Sequence, residues 1–251
     1  MIVKIAQLIV TRKIAHNLNK ILKIIYGSEK NEWIVFPEGM LSGYYPKDDN
    51  YPGQLNFKEI KKGILKIEAV VKEKNCLCLF GTAYKFTNDW YNATVIVSKS
   101  GTKYYIKNNL ATLDRKHFKQ GNKLEVYEEN GVRFGIQMCR ELVFPEQWKY
   151  LKKQDAQVVF HLNNAIKPGD SLGSHLVISR AFENQYFVCS VNNAEVPQTQ
   201  PSLVVSPLGE VIYQSEPRKE VVKKVKLDLS RFKNDYLKQE RINLVEVISR
   251  H

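Results

Sequence analysis

This chain has little cysteine, no long apolar run and no tract of biased composition, and each absence removes a class of protein. Four cysteines, Cys76, Cys78, Cys139 and Cys189, are spread over 251 residues, without the dense pairing of a disulfide-stapled domain. Cys76 and Cys78 alternate within Cys-Leu-Cys-Leu-Phe, which puts both thiols on one face of a strand. No further ligands stand at zinc-like spacing, so buried, reduced thiols are expected, and no metal. No run approaches the roughly 18 apolar residues of a membrane span. The opening Met-Ile-Val-Lys-Ile-Ala-Gln-Leu-Ile-Val is broken by Lys4 and lacks a basic leader and a small-residue cleavage site. It reads as a strand rather than a signal peptide. The P-loop, the dinucleotide-binding glycine fingerprint and the His-Glu-x-x-His motif are also missing. The expectation is a soluble, cytoplasmic protein with no membrane partner.

What is present fits a folded globular chain. Hydrophobic residues make up 43% and charged residues 25%, near the average for such proteins. Lysine and arginine outnumber acids by 38 to 26, a net charge of +12, which raises the question of a nucleic-acid partner. The lysines are dispersed, however. The densest basic segment, Arg218 to Lys226, carries Val221, Val222 and Val225 and reads as a half-exposed strand. A solvated face and no nucleic-acid partner follow. With no linker or repeat, residues 1–251 are expected to form a single domain.

Periodicity predicts strands and helices in alternation through the first half. A strand over 2–10 precedes a helix over 14–26, whose Ile14, Leu18, Ile21, Leu22 and Ile25 form one stripe. A strand at 31–36 stops at Pro37-Glu38, and a helix follows over 57–74. Strands are expected at 76–83, 93–98 and 103–106. Those at 123–128 and 132–139 flank Glu129-Asn130-Gly131, a hairpin signal. A short helix at 146–153, a strand at 156–162, a helix at 171–184 and a strand at 186–192 come next. A hairpin at 202–206 and 210–214 and a strand at 221–227 complete the set. This pattern is layered α/β, of α+β character, rather than a simple doubly wound sheet.

Three residues at or near strand ends can do chemistry together. Glu38 follows Pro37, which cannot continue a central ladder. Lys107 ends Tyr105-Ile106-Lys107, and Cys139 ends the run from Val132 to Met138. Strand ends hold side chains rigidly at the mouth of a loop-lined cleft. A carboxylate, an ammonium and a thiol brought together make a nucleophile with a base and a cationic stabiliser. Taken singly, each has a plainer reading as a solvated acid, an ordinary surface lysine or a structural thiol. A cysteine–histidine protease would draw on His16, His117, His161, His175 or His251, of which His161 alone ends a strand-like run.

The segments around these residues resemble the carbon–nitrogen hydrolases of the nitrilase superfamily over almost the whole chain. The matching stretches are Pro37-Glu38-Gly39-Met40-Leu41-Ser42-Gly43-Tyr44, Tyr105-Ile106-Lys107-Asn108-Asn109-Leu110 and Cys139-Arg140-Glu141-Leu142-Val143-Phe144-Pro145-Glu146. The resemblance extends to Arg180-Ala181-Phe182-Glu183-Asn184, whose Arg and Glu read as a structural brace. It implies an α–β–β–α sandwich, a homodimer, no cofactor, and hydrolysis of a non-peptide amide bond of a small molecule through a cysteine thioester. Glu38 would be the general base and Cys139 the nucleophile. Lys107 and the backbone N–H of Arg140 would hold the oxyanion. Asp114 is the candidate for the family's second glutamate, one methylene shorter, and could orient Lys107 or a substrate or lie exposed in a loop. Asn109 stands where many relatives have histidine. Tyr44, Asn109, Asn163 and Asn164 are candidates for substrate contact, and with Arg140 they suggest a polar pocket suited to an ω-amido acid or carbamoyl compound. Nitrile hydrolysis, acyl transfer on the same trio, and a catalytically silent binding protein remain alternatives.

Overall fold

The structure is a computed structural model that describes residues 1–165 and 172–230. Among the described residues, twelve strands form two six-stranded sheets. The first sheet contains β1 (Ile2–Gln7), β2 (Glu32–Val35), β3 (Leu77–Phe86), β4 (Asp89–Ser98) and β5 (Gly101–Ile106), with β12 (Val221–Lys226) beside β1 at one edge. The second contains β6 (Val126–Glu129), β7 (Val132–Met138), β8 (Val158–Leu162), β9 (Phe187–Val191), β10 (Leu203–Val205) and β11 (Val211–Gln214), in sequential order across the sheet. β1, β2 and β3 run parallel, as do β7, β8 and β9, and hairpins extend each sheet outward.

Alternation along the strands sorts side chains into layers. Trp33 and Val35 of β2, Leu77 and Leu79 of β3, Phe134, Ile136 and Met138 of β7, and Phe160 and Leu162 of β8 meet in one core between the sheets. Trp33 packs edge-on against Phe134 with ring centroids 5.0 Å apart, an arrangement favoured by ring quadrupoles. Ile34 and Phe36 point the other way, with Cys78 and Phe80, onto α1 (Ile14–Tyr26) and α2 (Phe57–Lys74). α3 (Pro145–Lys153) and α4 (Leu172–Asn184) cover the second sheet through Trp148, Leu151, Val177 and Ala181. The expected α–β–β–α sandwich is the architecture found. No helix among the described residues is long and apolar enough to cross a membrane.

The elements depart from the expected ones in a few places. β3 and β4 extend past the apolar stretches and join in a hairpin at Thr87, whose φ is 51°. Tyr84 packs against Phe86 on its own strand and Tyr104 on β5, each with ring centroids 4.7 Å apart, so aromatic packing on one face of the sheet covers the stretch where hydrophobic alternation fades. The first strand stops at Gln7, opposite Val221 where β12 begins, and the buried Gln7 side chain donates to the backbone carbonyls of Glu216 and Lys219 at 2.7 and 2.8 Å. The expected start of α4, Ser171, lies outside the described residues.

One glycine fixes where the first sheet meets the turn after β2. Gly81 on β3 donates its N–H to Pro37 O at 3.1 Å and accepts from Leu41 N at 3.1 Å. A Cβ at this position would sit 2.4 Å from Gly39 N and 2.6 Å from the Cα of Glu38. Gly39 and Gly43 adopt φ of 70° and 82°, a left-handed region that suits glycine. Gly81→Ala is therefore expected to force the Glu38 turn off β3 and destabilise the protein by about 1–3 kcal/mol. Urea unfolding measures this, and an unchanged midpoint would show that the close approach is not needed.

Candidate active site

Glu38, Lys107 and Asp114 meet in the dry interior. Glu38 leaves the end of β2 on the Gly81-supported turn. Lys107 follows β5, with its N–H donated to Asn92 O at 3.0 Å and its carbonyl accepting from Gly121 N at 2.9 Å. All three side chains are fully buried. The Lys107 ammonium donates to Glu38 Oε1 at 2.8 Å and to Asp114 Oδ2 at 2.7 Å. Asn92 Nδ2 donates to the same Glu38 oxygen at 2.8 Å. The Tyr44 hydroxyl donates to the other oxygen of Asp114, and Ala111 N adds a contact to Oδ2 at 3.3 Å. Glu38 Oε2 has no hydrogen-bond partner among the described residues.

Cys139 stands directly after β7 and opens a 3₁₀ turn over Cys139–Val143. Its φ is 41°, a left-handed conformation uncommon for a non-glycine residue. The thiol contacts Asn164 O at 3.7 Å, and the cysteine keeps partial solvent access. Glu141, in the same turn, is fully buried and serves as a clamp. Its Oε2 accepts from Met138 N at 2.7 Å and from the Tyr105 hydroxyl at 2.8 Å. Its Oε1 accepts from Asn108 N at 2.7 Å and Asn109 N at 3.1 Å. One carboxylate thus ties the segment after Lys107 to the turn that carries Cys139.

Charge and burial set the protonation states. Burial raises Glu38 above its ordinary value, Lys107 opposes that shift, and the neighbouring Asp114 charge adds to it. Burial pulls Lys107 down, but Glu38, Cys139 and Asp114 together outweigh it and hold the ammonium well above its usual range. Burial, followed by the charge of Glu38, pushes the Cys139 thiol up to about 12, with Lys107 pulling the other way. Burial also lifts Glu141 to about 6. The resting arrangement at neutral pH is a neutral thiol beside a fixed cation and an acid–base carboxylate. Such a set can deprotonate a sulfur only as it attacks, and it can stabilise an anion formed there.

A family model described as carbon-nitrogen hydrolase matches residues 2–235. The chain belongs to the carbon–nitrogen hydrolase family. It is 27% identical to an (R)-stereoselective amidase of a Pseudomonas species over 247 residues, covering 92% of this chain and 87% of that one. It is 25% identical to a nitrilase of Pyrococcus abyssi, covering 87% and 86%. The fold superimposes on the NitN amidase of Nesterenkonia sp. AN1 with a TM-score of 0.84 at 18% identity, covering 99% of both chains. A variant of that amidase carries acrylamide added at its active-site cysteine.

Within this carbon–nitrogen hydrolase the remaining site candidates fall into place by their contacts. Asp114 is not an exposed loop acid: it is a buried partner of Lys107. Tyr44 turns its hydroxyl to Asp114. Asn109 contributes its backbone N–H to Glu141, and Arg140 is exposed. Asn163 Nδ2 donates to Gln200 Oε1 at 3.2 Å, and its side-chain Oδ1 accepts from Asn164 N at 2.9 Å. Asn164 accepts from Gln198 through its side chain. Arg180 braces the turn after Cys139, donating to Leu142 O at 3.1 Å and pairing with Glu183 at 2.8 Å. His161 is buried beside Cys139, His16, His117 and His175 take no part in these contacts, and His251 lies outside the described residues. Asn92 and the clamp by Glu141 escaped sequence reasoning. The acid two places after Cys139 was the available signal for Glu141; nothing local marks Asn92.

Lys107→Met would leave Glu38 and Asp114 facing one another without their shared cation. Removing one partner of a buried ionic group costs about 3–5 kcal/mol. Burial and mutual repulsion then raise a carboxyl pKa in the folded state above its unfolded value, so the folded variant binds the extra proton. Its stability is greatest at low pH and falls as pH rises through that raised value. Urea unfolding should show a larger deficit against the parent protein at mildly alkaline than at mildly acidic pH. A deficit that does not change with pH contradicts the two-carboxylate arrangement.

Proposed function

We propose that this protein hydrolyses a non-peptide amide C–N bond of a small molecule, with Cys139 as nucleophile, Glu38 as general acid and base, and Lys107 with the Arg140 amide as oxyanion donors. The observation that carries the reading is the Glu38 oxygen that has no hydrogen-bond partner among the described residues. Its other oxygen is committed to Lys107 and Asn92, so one acceptor is left in a dry site whose charges act on the Cys139 thiol.

In this mechanism Glu38 takes the thiol proton as sulfur bonds to the carbonyl carbon, and the C=O electron pair moves onto oxygen. Lys107 and the Arg140 N–H, in the first turn of the 3₁₀ segment, hold that oxyanion; the first N–H groups of a helix have no intrahelical acceptor. Collapse breaks the C–N bond as Glu38 returns its proton to the departing amine. Water then loses a proton to Glu38 and attacks the thioester, and the leaving thiolate regains the proton. Asp114 and Tyr44 keep the ammonium aimed. No step draws on a metal or organic cofactor. The family also includes a nitrilase among the relatives of this chain, and attack on a nitrile carbon uses the same three groups. An ammonia-release screen over small amides, ureido acids and nitriles separates the two; a nitrile-only profile contradicts the amidase reading.

Cys139→Ala and Glu38→Gln, each shown folded by circular dichroism, are expected to abolish turnover. The double variant should be no worse than either, because the two groups act as one unit. The pH profile carries a sign. Glu38 must be ionised to accept the proton, and its pKa lies above the ordinary 4.5. Hence kcat/KM should fall on acidification with a midpoint above that value. Activity that persists undiminished through the ordinary glutamate range contradicts Glu38 as base.

A further inference from the structure

His161 lies on β8, fully buried, in register with Gln137 and two residues short of Cys139 in the paired strand. Its Nε2 is 3.1 Å from the Cys139 carbonyl oxygen, and its Nδ1 is 2.8 Å from Ser190 Oγ on β9. A carbonyl can only accept, so Nε2 carries the proton. Burial lowers the ring to about 4, so it is neutral at physiological pH. Nδ1 is then an acceptor, and the Ser190 hydroxyl donates to it. The indole of Trp148 stands over the ring with centroids 5.9 Å apart and donates to Glu141 O at 2.9 Å, in the turn that Cys139 opens.

The Cys139 carbonyl and the Arg140 N–H belong to one planar trans peptide and point in opposite directions. Whatever holds the carbonyl on one side therefore aims the N–H on the other. We propose that His161, with its tautomer set by Ser190, is a positioning residue that orients the Cys139–Arg140 peptide and so points the Arg140 amide at the developing oxyanion. This rests on the oxyanion role given to Arg140 above.

Two substitutions separate positioning from packing. Glutamine places an amide N–H near the position of Nε2, and asparagine places it near Nδ1. His161→Gln should keep kcat close to that of the parent protein. His161→Asn should lower kcat, with KM little changed, by up to roughly a hundredfold, the scale of a lost oxyanion donor. Alkylation of Cys139 by iodoacetamide, followed by mass spectrometry, forms no oxyanion and should proceed at the parent rate in both. Equal losses in the two variants, parent kcat in His161→Asn, or alkylation that falls in step with kcat would overturn the proposal. Should both fail to fold, Ser190→Ala removes one hydroxyl and is expected to lower kcat severalfold with alkylation unchanged; parent kcat there contradicts it. Turnover that survives in Cys139→Ala would instead refute the nucleophile, a distinct result.

Discussion

The ammonium of Lys107 sits between two carboxylates in a region closed to water, and much of the surrounding structure can be understood as its support. A buried charge is tolerated only when its hydrogen bonds and counter-charges are complete. Lys107 meets that demand with groups from distant parts of the chain: Glu38 after β2, Asp114 after β5, and the aromatic face of Tyr44 at 5.9 Å. The two carboxylates exceed the one cation, so Glu38 is held above its normal pKa by burial while remaining strapped by one oxygen. The same arrangement keeps the lysine charged and leaves one carboxylate oxygen without a hydrogen bond among the described residues.

The second constraint is the turn at Cys139. A left-handed cysteine at the end of a buried strand needs outside support, and it receives it from both directions. Glu141 reaches under the turn to Tyr105 and to the backbone beyond Lys107, so the segments bearing the lysine and the thiol cannot drift apart independently. Arg180 and Trp148 hold carbonyls of the same turn from the helical layer. The first sheet thus brings Glu38 and Lys107, and the second brings Cys139, to a shared end of the sandwich, and the clamps set their relative positions.

Much of this arrangement could be read in the sequence. Apolar strand-like runs that end at Glu38, Lys107 and Cys139 marked three rigid ends with complementary chemistry, and helical stripes such as Ile14, Leu18, Ile21 and Ile25 marked the outer layers. The pairing of the layers into a sandwich came from resemblance, because alternation within strands does not say which faces will meet. Asn92 and Glu38 are 54 positions apart and Glu141 reaches back 33 positions to Asn108; no local pattern encodes such contacts. Asp114 was ambiguous for the same reason, since a lone acid in a loop looks solvated until its lysine is placed. The side chains of Tyr44, Asn163 and Asn164 are occupied by internal hydrogen bonds, a role that residue type alone does not distinguish from substrate contact.

The central claim is that catalysis passes through a covalent acyl group on Cys139. Rapid chemical quench of the parent protein while it turns over an amide, followed by peptide mass spectrometry, tests it most directly. The account predicts a mass increase equal to the acyl portion of the substrate, confined to the peptide that contains Cys139 and lost when the substrate is exhausted. Turnover with the acyl group on another residue, or a single-turnover quench that finds product formed and no adduct on Cys139 at any time, would contradict it.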